Sequence, residues 1–546
     1  MKSINALILN DITPRFDVDY GHGTSLRSVG AYRIATALKQ IDCETKVLDY
    51  FFHIDLCYQK QLLNKFISED TKILGISATN LRGHTKNAQQ KSLFGQINPL
   101  GSNSNGLVYF HQNLKQILQY VKNKFPWIKI VIGGGQITNL QNPGLEFVEK
   151  YIDCIFTGES DISIQEYYKH IAFNLNLEYT KTWEVGKFVK EFQNTKVVHS
   201  EKSYPLSKEY VDKNLYIDHK AINSDLLPNE WLFVEISRGC VFNCYFCSYK
   251  HSNKRRSIDS IKKEILKNYN EYGITKFRLM DDTFNDNKRK VVEICEMFKS
   301  LPFEVEWHSY ARTDVLSVHP NLINLMYESG CRYLKFGLET TNNEALKYAN
   351  KMLRHEKNDE VINEIYDRTN GQLYTHSNFI IGLPKDTVES QYKTFEWIQN
   401  SKLKTFSLTT WHRDKFYNDD DDKKVMSEYS KDTYENEIQL IGYGNNWSHE
   451  SMTSNQAYLL YHEAFDIFKE KSNPFWIGSD VYPILRSYGI KHEDVDFYMQ
   501  KIMNLNWNYD QNITKWLENK FINHTTNYFK KLDSNFNPSN LVLSMP

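Results

Sequence analysis

Three cysteines, Cys240, Cys244 and Cys247, stand at C-x3-C-x2-C spacing in "CVFNCYFC", while Cys43, Cys57, Cys154, Cys295 and Cys331 are scattered. Thiolates this close together bind a soft metal, and zinc and an iron-sulfur cluster are the two candidates. Structural zinc closes its shell with four ligands, usually two short pairs. No second Cys or His pair follows Cys247, and His251 in "YKHSNK" is a lone imidazole. Three thiolates on a four-iron cluster instead leave one iron open for an exchangeable ligand. Inert packing of three buried cysteines is the alternative, for which a loop directly after a strand is an unsuitable place. Eight cysteines in 546 residues, most of them isolated, are no disulfide framework, so a reducing, cytoplasmic setting is expected.

The elements that position these thiols follow from the hydrophobic pattern. The first segment alternates short apolar runs ("NALILND", "ETKVLDYF", "TKILGISATN", "IKIVIGGGQITN", "CIFTGES") with helical stretches such as "RSVGAYRIATALKQI" and "NLKQILQYVKNKF". That alternation predicts a parallel, doubly wound sheet. Its ligands sit beyond the carboxyl ends of the strands, where Ser77, Gly133 and Gly158 emerge. The triplet Gly133, Gly134 and Gly135 is neither G-x-G-x-x-G nor a phosphate loop, so a nicotinamide site is not supported. A charged, less regular stretch follows. Then "WLFVEISRG", "TKFRLMDDTF", "VEWHSYARTD", "YLKFGLET", "THSNFIIGLP" and "TFSLTT" alternate with helices, among them one carrying Ile258, Ile261 and Ile265 at helical spacing. Six such units predict a partial barrel of the (β/α)6 kind, with its site at the strand ends. From Trp411 the chain becomes aromatic and mostly helical, which predicts a cap or substrate-facing domain. The expected divisions are an α/β Rossmann-like domain over 1–175, a linker over 176–228, the barrel over 229–410 and a helical domain over 411–546.

Composition narrows the function classes. Hydrophobic residues make up 41% of the chain, enough to fold without disorder. A formal net charge of -1 argues against a generic nucleic-acid or anionic-membrane binder. No apolar run approaches a membrane span, and "MKSINALILND" reads as a buried strand and not as a signal peptide.

The residues around the triplet resemble the radical S-adenosylmethionine superfamily, specifically its cobalamin-binding class. The resemblance is carried by "SRGCVFNCYFCSYK" from Ser237, "MDDTFND" from Met280, "KFGLETTN" from Lys335 and "FIIGLPKDT" from Phe379, and it covers Lys2 to Thr410. It implies that Cys240, Cys244 and Cys247 hold three irons of a 4Fe-4S cluster. The fourth iron is then chelated by the amino and carboxylate groups of S-adenosylmethionine. Reductive cleavage of that sulfonium gives a 5'-deoxyadenosyl radical, which abstracts a substrate hydrogen. By the same resemblance Phe246, with Phe242 and Tyr245, shields the cluster and packs on adenine, ordinary loop packing being the alternative. Asp282, better placed than Asp281, accepts from the ammonium group. Glu339 faces the ribose or methionine, or forms a barrel salt bridge. The backbone of Ile381, Gly382 and Leu383 meets the adenine edge, or is a strand-ending turn. Arg312 clamps the methionine carboxylate, or is an ion pair.

The first domain resembles the cobalamin-binding domain of that class, which makes Ser77, Thr79, Gly134, Gly135 and Gln136 corrin contacts. It departs from many cobalamin proteins in lacking D-x-H-x-x-G; "DYGHG" at Asp19 has another spacing. A degenerate Rossmann fold holding nothing is the alternative. The function implied is a cobalamin-dependent radical methyltransferase acting on an unactivated carbon of a small-molecule or peptide substrate, with a flavodoxin- or ferredoxin-type electron donor. A non-methylating radical enzyme performing a rearrangement, cyclisation or cleavage, and a non-catalytic cobalamin or iron-sulfur sensor, are the competing readings. In the C-terminal segment, Trp447, His449 and Met452 are candidates for a substrate mouth, against helix-start packing with Thr453 or Ser454 as cap.

Overall fold

The computed structural model describes residues 3–10, 27, 29–77, 113–134, 149–172, 186–192, 195–200, 208–247, 254–351, 353–411, 439, 441–443, 446–468, 474–508 and 511–542. Among them, no helix is long and apolar enough to cross a membrane.

The first sheet has seven strands: β1 (Ala6–Asn10), β2 (Thr45–Leu48), β3 (Ile73–Ser77), β4 (Lys129–Gly133), β5 (Cys154–Gly158), β6 (Gly186–Phe192) and β7 (Thr195–Ser200). Their order is β2-β1-β3-β4-β5-β7-β6, parallel except for the β6–β7 hairpin. The first five strands have a doubly wound order with its switch point between β1 and β3. Helices on both faces explain why "ALILN" and "ILGIS" are buried at every position. These helices are α1 (Val29–Lys39), α2 (Leu56–Phe66), α3 (Leu114–Lys124) and α4 (Asp161–Ala172). In α3, Leu114, Ile117, Leu118 and Val121 form the single buried stripe that 3.6-residue spacing dictates.

The second sheet contains β8 (Trp231–Glu235), β9 (Lys276–Met280), β10 (Glu306–Ala311), β11 (Cys331–Glu339), β12 (Tyr374–Ile381), β13 (Thr405–Thr410) and β14 (Phe475–Trp476). They lie side by side in chain order, all parallel. The crossovers include α5 (Ile258–Tyr272), α6 (Lys288–Lys299), α7 (Asn321–Glu328), α8 (His355–Thr369) and α9 (Val388–Asn400). Ile261 and Ile265 of α5 are buried in the core, with Ile258 packed against it.

Two stretches contribute to the sheets on either side of them. The stretch 176–228 is no plain linker: it supplies β6 and β7 to the first sheet, and Ile217 and Ile222 pack with Ile8, Tyr32 and Val47. Its charged strands, "GKFVKEF" and "TKVVHS", lack the continuous apolar run of a central strand because they form the sheet's end. Nor does 411–546 form a helical body apart from the barrel. Helix α10 (Ser454–Phe468) packs in the second core, and β14 extends that sheet. Helix α11 (Val481–Ser487) lies under the amino ends of the strands, where Arg486 pairs with Glu306 and Tyr482 stacks on Tyr333 at 4.8 Å. Asp480 reaches from this segment to Arg278 (3.1 Å) and Lys335 inside the barrel. Helices α12 (Val495–Asn508) and α13 (Gln511–Leu532) follow, and Phe521, Tyr528 and Phe529 of α13 join the core of the first sheet. Of the described residues after Trp411, those from Asp480 to Arg486 close the floor and α13 reaches the first sheet.

Candidate active site

Beyond β8, Ser237–Arg238 pairs antiparallel with Lys254–Arg255, and the arms of this short hairpin bracket the cysteine loop at the carboxyl edge of the sheet. Several contacts fix that loop. Cys240 Sγ lies 3.4 Å from Thr283 Oγ1, after β9. The Tyr245 N–H donates to the Ala349 carbonyl (2.9 Å), and Asn350 Nδ2 donates to the Asn243 carbonyl (2.7 Å). Arg312, after β10, donates from Nη1 to Cys244 Sγ at 3.3 Å. The Cys247 N–H returns to the Cys244 carbonyl (3.1 Å). Cys244 is buried and the other two cysteines are half-buried. Among the described residues no three His, Cys, Asp or Glu side chains are gathered as ligands of one metal ion. The guanidinium donor beside the Cys244 sulfur suits a thiolate of a cluster, whose charge such a donor stabilises.

Arg312 is held from every side. Its N–H donates to Asn285 Oδ1 (2.7 Å), and Asn285 Nδ2 donates back to the Arg312 carbonyl (2.6 Å). Its Nε donates to Asp314 (2.6 Å), and its guanidinium lies 3.9 Å from the centre of the Phe242 ring. Burial opposes the charge, but Asp314 and the Cys244 sulfur outweigh it and raise the pKa above the usual arginine value. Tyr245 and Phe246 pack against the barrel core, with the Lys351 ammonium 6.0 Å from the Phe246 ring.

The neighbouring strand ends separate two adjacent acids. Asp281 is buried, pairs with Lys290 and accepts from the Thr283 N–H (2.9 Å), whereas Asp282 is exposed at the mouth. Glu339 is buried at the end of β11 with φ +67°, where the register with β12 shifts. A non-glycine residue held there costs on the order of 1 kcal/mol or more. Lys351 meets its carboxylate at 3.4 Å and the Gly337 carbonyl at 2.7 Å. Arg312, Gly337, Leu338 and Lys351 line one small cleft.

After β12 the three backbone candidates have their carbonyls engaged. Ile381 accepts from the Trp411 N–H (2.8 Å), Gly382 from His449 Nε2 (3.1 Å) and Leu383 from the Asp386 N–H (2.9 Å). Gly382 has φ +92°, and a Cβ there would stand 2.5 Å from the Trp447 ring. Trp447 and Met452 are core residues, and His449 is stacked on Trp447. Trp447 and His449 therefore buttress Gly382 from behind, and Met452 is buried in the core. Thr453 caps the helix that follows, its hydroxyl accepting from the Gln456 N–H (3.2 Å).

On the first sheet, Asn10, Ser77 and Gly133 are in register at the carboxyl edge. Ser77 is buried; Gly134 is exposed with φ +129°. Strand ends without bulky side chains admit a planar ring closely. Thr79, Gly135 and Gln136, like His251 and Asp19, lie outside the described residues. Just past β5 the edge meets the cysteine loop: Arg238, two residues before Cys240, pairs with Asp161 (2.8 Å) and Glu159 (3.2 Å), and Arg33 bridges Asp161 and Glu235 at 3.0 Å each. Burial raises the Asp161 pKa, but Arg238 and Arg33 overcome it and hold the carboxyl well below the usual range.

Reading the sequence missed Arg238, Asn285, Asp314 and Lys351. Arg238 was accessible from its place in "SRGC". The others act on main chain or on a neighbouring side chain, which spacing does not reveal.

Parallel strands in chain order, with a three-cysteine loop after the first, define a radical S-adenosylmethionine domain. Residues 234–398 match the Radical SAM superfamily. Over 295 residues the chain is 25% identical to an uncharacterised methyltransferase of Pyrococcus horikoshii, a match covering 52% of this chain and 60% of that protein. Over 208 residues it is 26% identical to an anaerobic magnesium-protoporphyrin IX monomethyl ester cyclase of Cereibacter sphaeroides, covering 36% of this chain and 33% of the relative. The chain thus spans less than two thirds of the length of these relatives. Its fold resembles that of the radical S-adenosylmethionine methyltransferase TsrM from Kitasatospora setae, solved with cobalamin and a 4Fe-4S cluster. The TM-score is 0.59 at 12% identity, over 93% of this chain and 100% of that one.

Proposed function

We propose that this chain is a cobalamin-dependent radical S-adenosylmethionine methyltransferase, in which Cys240, Cys244 and Cys247 hold a 4Fe-4S cluster. The observation that carries this reading is the Arg238 junction, which sets the cysteine loop against the carboxyl edge of the first sheet. When bound, the cluster supplies one electron to S-adenosylmethionine and cobalamin supplies the methyl group. The protein's own residues bind and orient. Asp282 is the acceptor for the ammonium group, Glu339 faces the ribose or methionine part, and the N–H side of the Ile381–Leu383 turn meets the adenine. Ser77 and Gly134 form the described part of the corrin shelf, completed by Thr79, Gly135 and Gln136. The charged floor beneath keeps water from entering from below. The substrate is a small molecule or peptide, the electron donor is of the flavodoxin or ferredoxin type, and the setting is cytoplasmic.

Anaerobic reconstitution with iron, sulfide and cobalamin, followed by absorption spectra and product analysis, tests this reading. Cluster and corrin bands are expected, with both S-adenosylhomocysteine and 5'-deoxyadenosine among the products. Changing all three cysteines to alanine abolishes the cluster band and leaves the corrin band. An unchanged spectrum overturns the cluster assignment, and 5'-deoxyadenosine alone overturns methyl transfer.

A further inference from the structure

We propose that Arg312 is a positioning residue for the cluster: its guanidinium donates to the Cys244 sulfur and raises the reduction potential of the iron-sulfur centre, leaving the S-adenosylmethionine carboxylate to other groups. This rests on the reading that the cysteine triplet holds a cluster.

The geometry favours the sulfur over an incoming carboxylate. A guanidinium grips a carboxylate with two parallel N–H groups on one edge. In Arg312 the Nε side is occupied by Asp314 at 2.6 Å, and Nη1 points to Cys244 Sγ at 3.3 Å. The face rests on Phe242 at 3.9 Å, a ring that belongs to the cysteine loop itself. The two hydrogen bonds from Asn285, which is 0% exposed, fix the Arg312 main chain, so the side chain reaches the sulfur from a set position. A flexible lysine cannot reproduce this planar, stacked, two-sided arrangement.

The consequence is electrostatic. Reduction by a low-potential one-electron donor adds one electron to the cluster and leaves the donor oxidised by one, with no bond made or broken. The added negative charge spreads onto the sulfurs, so a cationic donor hydrogen-bonded to one of them stabilises the reduced form more than the oxidised form. Arg312 therefore eases electron entry at the step that precedes any chemistry.

The test is an EPR-monitored dithionite titration of the full-length reconstituted protein, with S-adenosylmethionine binding measured by equilibrium dialysis. Arg312→Gln is expected to keep wild-type iron and sulfide content and wild-type S-adenosylmethionine binding. Its reduced-to-oxidised ratio at a fixed potential should fall roughly tenfold, which for a one-electron couple is about 59 mV. Arg312→Lys, keeping charge but losing the fork, should shift less in the same direction. An unchanged midpoint with weakened S-adenosylmethionine binding makes Arg312 a carboxylate clamp and overturns the proposal. An unchanged midpoint with unchanged binding makes it an inert ion pair and overturns the proposal equally. If Arg312→Gln takes up no iron, Phe242→Leu reads the same quantity, since it removes the ring beneath the guanidinium and leaves every charge and sulfur in place. A lowered potential supports the proposal and an unchanged one overturns it. A wild-type chain that forms no cluster overturns the underlying assignment, a result distinct from a cluster whose potential does not move.

Discussion

Both ends of the second sheet are rich in charge, and they use it differently. At the floor, charges meet opposite charges from one segment: Asp480 takes Arg278 and Lys335, and Arg486 takes Glu306. Tyr333, Tyr374 and Tyr482 pack beside them, and the Tyr333 hydroxyl donates to the Ser479 carbonyl at 2.7 Å. Burial and Arg278 lower the Lys335 ammonium to about 8 while Asp480 opposes them, as expected of a cation kept from water. At the mouth, Arg312 turns a donor to a sulfur, Asp282 stays exposed and Glu339 sits in a strained backbone conformation. The floor only pairs its charges, whereas the mouth, besides its pairs of Arg312 with Asp314 and Glu339 with Lys351, aims a donor at a sulfur and leaves an acid exposed, in keeping with chemistry at the carboxyl ends of strands and stability at the amino ends.

The largest stability effect is expected at Asp480. Asp480→Ala leaves two buried cations without their counter-charge and should cost roughly 3–5 kcal/mol, read by urea unfolding, with the cluster band per folded chain unaltered. A variant of intact stability that loses the band would break the division between floor and mouth. A smaller effect, set by pH, is expected at Asp386 behind the mouth. Burial raises its pKa to about 7, against hydrogen bonds from Ser390 and Thr340. Unfolded, such a group titrates near 3.9, so between about pH 4 and 7 the folded chain keeps a proton that the unfolded chain has lost. Stability then falls as pH rises through this window, by up to about 1.4 kcal/mol per pH unit, and levels off above it. Asp386→Asn removes that slope, so its unfolding free energy relative to wild type should grow with pH; parallel curves would leave the mouth without this liability. The smallest effect belongs to the partly exposed Lys385–Glu450 pair. Glu450→Gln should change stability by less than about 1 kcal/mol, and a larger loss in thermal unfolding would mean that the mouth too depends on paired charge.

The sequence made the mouth easier to read than the floor. Cysteine spacing and the alternation of apolar runs with helices are local, so the triplet, the order of β8 to β13 and the strand-end positions of Asp282 and Glu339 were visible. Strand β14 is two residues long and has no period to detect. Asp480 looks like any acid in "IGSDVYP" until its partners, 145 and 202 residues earlier in the chain, are known. Trp447, His449 and Met452 looked like a mouth because aromatic and polar residues stood close in sequence. They turned inward because Gly382, lacking a Cβ, leaves room for an indole. Arg312 offered two readings that composition cannot separate, since an ion pair and a ligand clamp need the same residue type.

The return of α13 to the first sheet has a consequence for how the protein is made. Tyr528 accepts from the Asp49 N–H at 2.8 Å and lies 5.2 Å from the Arg27 guanidinium, which itself grips Asp49 and Glu230. Asp55 and Val542 add main-chain bonds to Asn540 and His53. A ribosome delivers both sheets before it delivers this fastener, and domains fold as they emerge. The junction of Arg238, Asp161, Arg33 and Glu235 can form as soon as both sheets exist, and α13 then adds a second fastening to it from the far side of the chain.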